Sequence, residues 1–262
     1  MKIIKYKKNK EIKHGILKEN DIYSIKGDIF KDFELGEKTA KLKEVELKAP
    51  IDPPNIIAIG LNYRKHAEES RLRIPDKPII FLKATNSLTG PDSEIILPKL
   101  AADEVDYEAE LAVVISKEAK NIEAVNSEDY ILGYSCANDV SARDCQIRKD
   151  KQWARAKSFD TFCPLGPVIE TELDPDKCSI KSILNGKVMQ DSNTSDMIFS
   201  VEWLISYLSH NMTLKPGTVI LTGTPEGVGF ARKAPIYLKD GDEIEIQIEG
   251  IGSLKNKVIK EK

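Results

Sequence analysis

The sequence predicts an α+β protein built mostly of β-strands, and three patterns along its 262 residues lead to this prediction. Short apolar runs that end at turn residues recur along the chain, as in NIIAIGL, KPIIFLKA and SEIILP. The segment DEIEIQIEG alternates Ile with Glu or Gln, which is typical of a strand with one face in the core and the other in water. The regular alternation of strands and helices that indicates a parallel α/β fold is missing.

The first fifty residues predict a small β domain of their own. MKIIKYK, HGILKE and DIYSIKG have the composition of short strands, and this part of the chain holds 13 of the 32 Lys residues. A proline-rich cluster over residues 49–54 then interrupts the pattern, as a linker does. We therefore expect a small N-terminal β domain over residues 1–52 and a larger domain over residues 53–262.

Two segments space their apolar residues at the three- and four-residue intervals of a helix. These segments are NSEDYILGYSCAND and FSVEWLISYLSHN. Ser200 is suited to cap the start of the second helix. The side chains expected on the buried face of that helix are Trp203, Leu204, Tyr207 and Leu208.

Composition and charge exclude several classes of protein. Hydrophobic residues make up 41% of the chain, which is ample for a core and excludes a disordered protein. The 39 basic and 42 acidic residues give a net charge of −3, so neither nucleic acid nor a membrane surface is indicated as a partner. No apolar run of about 18 residues predicts a membrane span, and the N-terminus lacks the apolar core of a signal peptide. The four cysteines form no CxxC pair, and we expect a cytoplasmic protein with reduced thiols.

The acidic segment DYEAELAVVIS is the first candidate site. Asp106, Glu108 and Glu110 alternate along a predicted strand, which places their side chains on one face. Such a face ordinarily points to solvent, but the apolar run that follows indicates that this strand enters the core. Buried carboxylates need a cation or hydrogen-bond donors, and a set of oxygen ligands suits Mg²⁺ or Mn²⁺. A glycosidase pair is the competing interpretation, although the aromatic content of 6% is low for a sugar-binding cleft.

The segment NDVSARDCQ is the second candidate. It places Asp139, Arg143 and Gln146 within nine residues, directly after an apolar run. An ion-paired turn would explain this composition. The functional interpretation is a third metal carboxylate, Asp139, beside an Arg and a Gln that hold a carboxylate or carbonyl of the substrate.

Two further segments carry a possible base and a possible cation. In GLNYRKHAEES, Glu69 follows His66 by three residues, so a helix would bring the carboxylate to the imidazole. Such a pair orients the ring and raises its basicity, as a general base requires, whereas the alternative is a surface histidine at a helix start. In RAKSFDTFCPLGP, Lys157 lies between a charged and an apolar segment, and the alternative is a solvated surface lysine.

Taken in this order, these segments resemble the fumarylacetoacetate hydrolase family. The resemblance extends from about residue 55 to the C-terminus and depends on the number and order of the matching segments. Those segments are GLNYRKHAEE, FLK, VDYEAELAVVI, NDVSARDCQ, AKSFDTFCPLGP and LTGTPEGVG. The resemblance implies a mixed β-sandwich roll with a small N-terminal β domain, and a homodimer.

The resemblance also implies a role for each candidate residue. The implied metal ligands are Glu108, Glu110 and Asp139. The implied catalytic residues are the water-activating pair His66 and Glu69, together with Lys157. The implied substrate-binding residues are Arg143, Gln146 and Thr224. Leu61 departs from the Arg that acylpyruvate hydrolases often have at this position and is closer to isomerase-like members.

The implied chemistry proceeds through an enolate. A 2-oxo acid can chelate a divalent ion through its 2-oxo and carboxylate oxygens, and the ion then stabilises the enolate. We expect hydrolysis of a C–C bond or isomerisation of an acylpyruvate or 2-hydroxy-dienedioate, with Mg²⁺ or Mn²⁺ as cofactor, as in the degradation of aromatic compounds. The alternatives are an oxaloacetate tautomerase or decarboxylase, and a dehydratase of 2-keto-3-deoxy sugar acids. A non-catalytic metal-binding module is a further alternative, but it has no physical need for all of these residues.

Overall fold

Nineteen β-strands form most of the regular structure in the computed structural model, which describes residues 1–262. In chain order they are β1 (Lys2–Lys8), β2 (Glu11–Lys18), β3 (Asp21–Gly27), β4 (Phe33–Lys41), β5 (Glu46–Lys48), β6 (Ile56–Gly60), β7 (Ile79–Lys83), β8 (Leu88–Thr89), β9 (Glu94–Leu97), β10 (Val105–Asp106), β11 (Ala109–Ile115), β12 (Ile131–Asn138), β13 (Ser141–Ala142), β14 (Cys163–Glu170), β15 (Ser179–Leu184), β16 (Lys187–Asn193), β17 (Val219–Leu221), β18 (Glu243–Ile248) and β19 (Gly252–Lys260). The α-helices are α1 (Arg64–Glu69), α2 (Trp153–Ala156) and α3 (Val201–Asn211). None of the helices has the length and apolar character needed to cross a membrane.

A twelve-stranded mixed sheet is the frame of the molecule. Its main path runs β4–β3–β2–β1–β14–β12–β11–β17–β6–β7, with β5 paired to β1 and β8 paired to β14. Neighbours on the main path are antiparallel, except that β17 and β6 are parallel. The N-terminal strands thus continue the same sheet, because Lys2 and Ile3 of β1 pair with Glu170 and Ile169 of β14. The domain boundary proposed at residues 52 and 53 lies in the connection between β5 and β6.

A five-stranded sheet in the order β16–β15–β18–β19–β9 packs against one face of the large sheet. Leu111 and Val113 of β11 share a buried cluster with Ile246 of β18, while Ala112 and Val114 lie in a second cluster on the opposite face. Since β11 is covered on both faces, every one of its residues is buried. The four cysteines are free and also buried. This architecture confirms the predicted α+β, mostly β class and the mixed β-sandwich roll.

Strand β18 and helix α3 follow the sequence patterns closely. The residues of β18 alternate between buried and more exposed positions, as the alternation of Ile with polar residues predicts. Helix α3 begins after Ser200, whose hydroxyl accepts a hydrogen bond from the Trp203 N–H at 3.4 Å. Leu204 and Leu208 are buried as predicted. The prediction for Trp203 is wrong, because its side chain is 37% exposed and stacks on Tyr207 at 5.0 Å.

The helix predicted over NSEDYILGYSCAND is wrong. Residues 124–130 form a 3₁₀ turn, and residues 131–138 form β12. β12 lies between β11 and β14, and seven of its eight residues are buried. A strand buried on both faces carries apolar side chains in nearly continuous runs, so their spacing does not distinguish it from a buried helix.

Candidate active site

Three carboxylates meet where two neighbouring strands of the large sheet end. Glu108 directly precedes β11, Glu110 is the second residue of β11, and Asp139 directly follows β12. The Asp139 N–H donates to the Glu108 carbonyl oxygen at 2.9 Å, and the Glu108 N–H donates to Asn138 Oδ1 at 3.0 Å. Carboxylate oxygens of the three residues lie within 4.8 Å of one another, and all three residues are buried. The structure therefore brings together the three side chains that the sequence predicts as metal ligands.

The electrostatics of this group fit a divalent cation. Burial, together with the negative charges of Asp139 and Glu108, raises the pKa of Glu110 well above its ordinary value. Burial also acts to raise the pKa of Glu108, but the charges of Lys157 and Arg143 lower it to about 2. Glu110 is thus the carboxylate that lacks a cation of its own, which a bound metal ion would supply. Oxygen-only ligands suit a hard ion such as Mg²⁺ or Mn²⁺.

Two buried lysines face the carboxylates. Lys157 follows α2, and its Nζ lies 2.7 Å from Glu108 Oε2 and also contacts Asp139. Lys83 at the end of β7 donates to Asp139 Oδ1 at 2.6 Å. The sequence predicts Lys157 but assigns no role to Lys83. The sequence pattern of β7 indicates that Lys83 is buried, because Lys83 shares a strand face with Phe81 in a mostly apolar run and so points inward.

Asp106 lies apart from the group formed by Glu108, Glu110 and Asp139. The single strand predicted here is interrupted, since β10 ends at Asp106 and pairs with β13, while β11 begins three residues later. The carboxylate of Asp106 instead accepts a hydrogen bond from Arg143 Nε at 2.9 Å. Arg143 Nη1 donates to Gln146 Oε1 at 2.8 Å, and its Nη2 lies 2.7 Å from Glu108 Oε1. The predicted pair Arg143 and Gln146 is therefore assembled beside the carboxylates.

Helix α1 brings the predicted base and its partner into contact. His66 Nδ1 lies 2.8 Å from Glu69 Oε1, and His66 is only 8% exposed. Both carboxylate oxygens of Glu69 accept from the Gly227 N–H at 3.0 Å. Glu69 thus connects α1 to the loop after β17, and this second contact fixes the position of the carboxylate that binds His66.

The loop that follows β17 contacts the carboxylates at the strand ends. The Gly223 N–H donates to Glu110 Oε2 at 2.8 Å, with a φ of +98° that glycine adopts without strain. Thr224 Oγ1 donates to the Ala109 carbonyl at 3.0 Å and accepts from Gln190 Nε2 at 2.8 Å. Gln190, which sequence reasoning did not identify, ties this loop to β16 of the smaller sheet.

Leu61 and Asn62 form a fixed connection between β6 and α1. Leu61 has a φ of +53°, which is uncommon for a residue with a side chain and persists where the surrounding structure holds it. The fully buried Asn62 provides that hold, because its Nδ2 donates to the Thr222 carbonyl at 2.7 Å and its Oδ1 accepts from the Phe199 N–H at 2.8 Å. The start of α1, and with it His66, is fixed relative to the loop after β17.

All of the predicted site residues except Glu69 line one cavity of about 260 Å³. Its polar lining consists of His66, Ser70, Glu108, Glu110, Asp139, Arg143, Gln146, Lys157 and Thr224. Its apolar lining includes Ile59, Leu61, Leu72, Phe81, Ile147, Trp153 and Phe230. The volume lies below the roughly 300–1,000 Å³ of pockets for drug-sized ligands, so it suits a small organic acid. A larger cavity of about 810 Å³ lies among the N-terminal strands and contains none of the candidate residues.

The buried charges of the site do not balance in the absence of ligands. The buried carboxylates are Asp106, Glu108, Glu110 and Asp139, and the buried cations facing them are Lys83, Arg143 and Lys157. Protonation of Glu110, which its raised pKa favours, would remove this excess negative charge. With all four carboxylates ionised, a dication would leave one excess positive charge, which an organic anion would neutralise. The charges thus fit a metal ion together with an anionic substrate.

We expect the affinity for Mn²⁺ to rise with pH. Because the pKa of Glu110 is raised in the metal-free protein, the ion must displace a proton from this carboxyl at any pH below that pKa. One displaced proton corresponds to about a tenfold gain in affinity per pH unit in that range. Calorimetric titration between about pH 5 and 8, in two buffers with different ionisation enthalpies, measures both affinity and proton release. A constant affinity without proton release would contradict this expectation.

Burying charged side chains costs free energy. A fold that gathers this many of them around one small cavity indicates an enzyme site rather than an arrangement that stabilises the fold. The fold and the site thus define a protein of the β-sandwich-roll class with an acidic triad that could hold a metal ion. The family model described as Fumarylacetoacetate (FAA) hydrolase C-terminal matches residues 55–259, and the model described as Rv2993c-like, N-terminal matches residues 1–50. The chain belongs to the fumarylacetoacetate hydrolase family, whose members are enzymes, as its sequence segments predict.

Three relatives illustrate the activities found among similar proteins. A mitochondrial oxaloacetate tautomerase of Rattus norvegicus, Fahd2a, is 47% identical over 220 residues, which cover 82% of this chain and 70% of the rat protein. The structure of a 5-carboxymethyl-2-hydroxymuconate delta-isomerase from Mycobacterium smegmatis matches with a TM-score of 0.90 and 41% identity over 100% of both chains. A maleylpyruvate hydrolase from Sphingobium sp. SYK-6, in complex with manganese (II) ion and pyruvate, matches with a TM-score of 0.81 and 28% identity over 100% of both chains. Similar chains therefore include a tautomerase, an isomerase and a hydrolase.

Proposed function

We propose that this protein is a divalent-metal-dependent enzyme that moves a proton at the carbon beside the carbonyl of a small 2-oxo acid, by way of the enolate. Keto–enol tautomerisation of oxaloacetate is the simplest such reaction, and isomerisation of an acylpyruvate or 2-hydroxy-dienedioate uses the same step. The observation that carries the proposal is the convergence of three carboxylates, a lysine and a His–Glu pair on one small cavity. Glu108, Glu110 and Asp139 would hold Mg²⁺ or Mn²⁺, and the bound ion would supply Lewis-acid stabilisation of the developing negative charge.

His66 is the residue proposed to carry the proton. Its Nδ1 is engaged by Glu69, so Nε2 is the ring nitrogen available to exchange a proton with the substrate. Glu69 is itself fixed by the Gly227 N–H, which limits the orientations that the imidazole can take. The contact with Glu69 also determines which ring nitrogen of His66 faces the cavity side of the imidazole.

Lys157 is proposed to stabilise the enolate electrostatically, and Arg143 is proposed to hold the carboxylate of the substrate. Both side chains line the cavity, and both are held in place by carboxylates. Fixed positive charge near the substrate oxygens favours the enolate without a reorganisation of the site during the reaction. Gln146 and Thr224 line the same cavity and offer uncharged hydrogen-bonding groups for a carboxylate or carbonyl.

Hydrolysis of a C–C bond is a second candidate, and the His–Glu pair is the observation that favours it. His66 would take a proton from a water molecule that attacks the distal carbonyl of an acylpyruvate, with pyruvate as the leaving enolate. The relative from Sphingobium is a hydrolase in complex with pyruvate. The small cavity, by contrast, favours short acids over long dienedioates as substrates.

Proton NMR with oxaloacetate and, separately, acetylpyruvate distinguishes these reactions, each with Mg²⁺ and with EDTA. We expect Mg²⁺-dependent acceleration of the keto–enol exchange of oxaloacetate. Acetate and pyruvate formed from acetylpyruvate only with Mg²⁺ would establish the hydrolase instead, and pyruvate formed from oxaloacetate faster than with Mg²⁺ alone would establish a decarboxylase. Metal binding without turnover of these acids, of dienedioates or of keto-deoxy sugar acids would favour the non-catalytic module and overturn the proposal.

The role of His66 has its own test. We expect His66→Gln to lower kcat by about 10²–10⁴-fold while Mg²⁺ binding is retained, because a positioned acid–base group contributes that much to a rate. His210→Gln is the matched control, since His210 is exposed on α3 and contacts only the preceding helical turn. A His66→Gln variant with an unchanged rate would remove His66 from the mechanism.

The homodimer implied by the resemblance and the cytoplasmic location expected from the sequence stay predictions. A homodimer would have a mass of about 59 kDa in sedimentation velocity, twice the chain mass of 29.3 kDa. Cytoplasmic location is testable by fractionation of cells that express the tagged chain.

A further inference from the structure

Asp106 is a fully buried carboxylate that the proposed mechanism does not use. It ends β10, and its side chain accepts three backbone hydrogen bonds. The donors are the N–H groups of Tyr107 at 2.9 Å, Gly229 at 2.8 Å and Phe230 at 3.0 Å. The approach of residue 229 is close, because a Cβ added to Gly229 would lie 2.4 Å from Asp106 Oδ1. The loop after β17 is thus fastened to this carboxylate at a position where only glycine fits.

The same carboxylate holds the Arg143 guanidinium along one edge. Arg143 Nε donates to Asp106 Oδ2 at 2.9 Å, and Arg143 Nη2 lies 2.9 Å from the same oxygen. The ring of Phe230 covers one face of the guanidinium, and Arg143 Cζ lies 4.3 Å from the centroid of this ring. Asp106 therefore fixes the plane of the guanidinium through its own contacts with Arg143. It also fixes the position of the Phe230 ring over the guanidinium, because it accepts a hydrogen bond from the Phe230 N–H.

This arrangement determines which donors of Arg143 remain available. The edge formed by Nε and Nη2 is occupied by Asp106, and Nη2 also contacts Glu108. Nη1 donates to Gln146 at the cavity wall. Nη1 has a second N–H that none of these contacts uses, and the other contacts hold it in a defined direction, which suits a hydrogen bond to a carboxylate oxygen.

We propose that Asp106 is a positioning residue that orients Arg143 toward the carboxylate of the substrate and locks the loop after β17 around it. The proposal rests on the proposed function in one respect, namely that the cavity binds a 2-oxo acid. Without Asp106, Glu108 would be the one carboxylate still in contact with Arg143, and the guanidinium would be free to turn about that contact. Substrate binding would then weaken, although the metal-binding carboxylates remain in place.

Asp106→Asn tests this proposal, because the amide keeps the size and one acceptor oxygen but loses the charge. We expect KM for the 2-oxo acid to rise by about tenfold, as the loss of a charge-assisted contact implies, with kcat changed less than threefold. Affinity for Mn²⁺, measured in the absence of substrate, should stay within about threefold of the wild-type value. A purely structural role would lower Tm without this separation of KM from kcat.

A double-mutant cycle with Arg143→Ala shows whether Asp106 acts through Arg143. The rise in KM caused by Asp106→Asn should disappear when Arg143 is already absent, because the two residues act as one unit. Phe230→Leu provides a second route if Asp106→Asn does not fold, since it removes the ring but leaves the backbone N–H for Asp106. Its effect on KM should likewise disappear with Arg143→Ala.

The outcomes separate this inference from the proposed function. An active wild-type enzyme with an unchanged KM in Asp106→Asn, or effects that multiply in the double variant, would overturn the positioning role alone. A wild-type protein that turns over no 2-oxo acid overturns the proposed function. In that case calorimetric titration of the Mn²⁺-loaded protein with oxalate still tests Asp106, because oxalate presents the same planar carboxylate.

Discussion

Glu110→Gln should abolish Mn²⁺-dependent stabilisation and lower kcat by at least about 10³-fold, yet raise the Tm of the metal-free protein. The loss of activity follows from the several kcal/mol that a Lewis acid contributes to the transition state. The gain in stability follows because burial and the neighbouring carboxylates disfavour the charged form of Glu110. A neutral amide avoids that cost, and its oxygen can still accept from the Gly223 N–H.

The stability difference between Glu110→Gln and the metal-free wild type should change with pH in a defined direction. The pKa of Glu110 is higher in the native state than in the unfolded chain, so the native state binds the extra proton. Wild-type stability in EDTA should therefore decrease as the pH rises above the unfolded-state pKa toward the native one. The Tm advantage of Glu110→Gln should grow over the same range. Glu118→Gln, an equal change of charge at an exposed position, should show no such trend. A Tm below that of the wild type in EDTA would contradict the argument.

Lys157→Met should have the opposite pattern, with a large loss of stability in EDTA that Mn²⁺ partly restores. Lys157 is buried between Glu108 and Asp139, so its removal leaves their negative charges uncompensated. Breaking a buried ion pair from one side costs about 3–5 kcal/mol. A bound dication would replace the missing charge, so the Mn²⁺-dependent rise in Tm should exceed that of the wild type.

Thermal unfolding in EDTA and at saturating Mn²⁺ measures both effects. Lys177→Met is the matched control, because Lys177 is exposed and lies 3.9 Å from Asp174 at the surface. An exposed pair of this kind contributes little, so neither Tm should change noticeably. Unchanged stability of Lys157→Met in EDTA would show that the carboxylates do not depend on this lysine for their charge balance.

The sequence was most informative where one physical rule decided the outcome. The alternation in β18 required one buried face, and the spacing of His66 and Glu69 on a helix led to the observed contact. The carboxylates at positions 108, 110 and 139 were predicted from residue type and from the resemblance together. Their buried, adjacent placement could not follow from the sequence alone, because it depends on the pairing of β11 with β12.

The residues that were missed act through contacts between distant parts of the chain. Asn62 bonds to Thr222 and Phe199, and Gln190 bonds to Thr224. An amide of this kind has no local signature, since it becomes informative only when its partners are known. Lys83 was missed for a different reason. Its inward direction was visible in the alternation of β7, but most lysines in such a lysine-rich chain are solvated.

The edge of β1 is divided between two partners that leave the ribosome at different times. Residues 5–7 of β1 pair with β5, whereas Lys2 and Ile3 pair with β14. At about 5–20 residues per second, β14 is synthesised roughly 6–24 s after β5. An unpaired strand edge invites pairing with another nascent chain during such an interval. Since β5 pairs with residues 5–7 well before β14 is made, only the beginning of β1 keeps an unpaired edge during this interval, which limits the backbone open to misassembly.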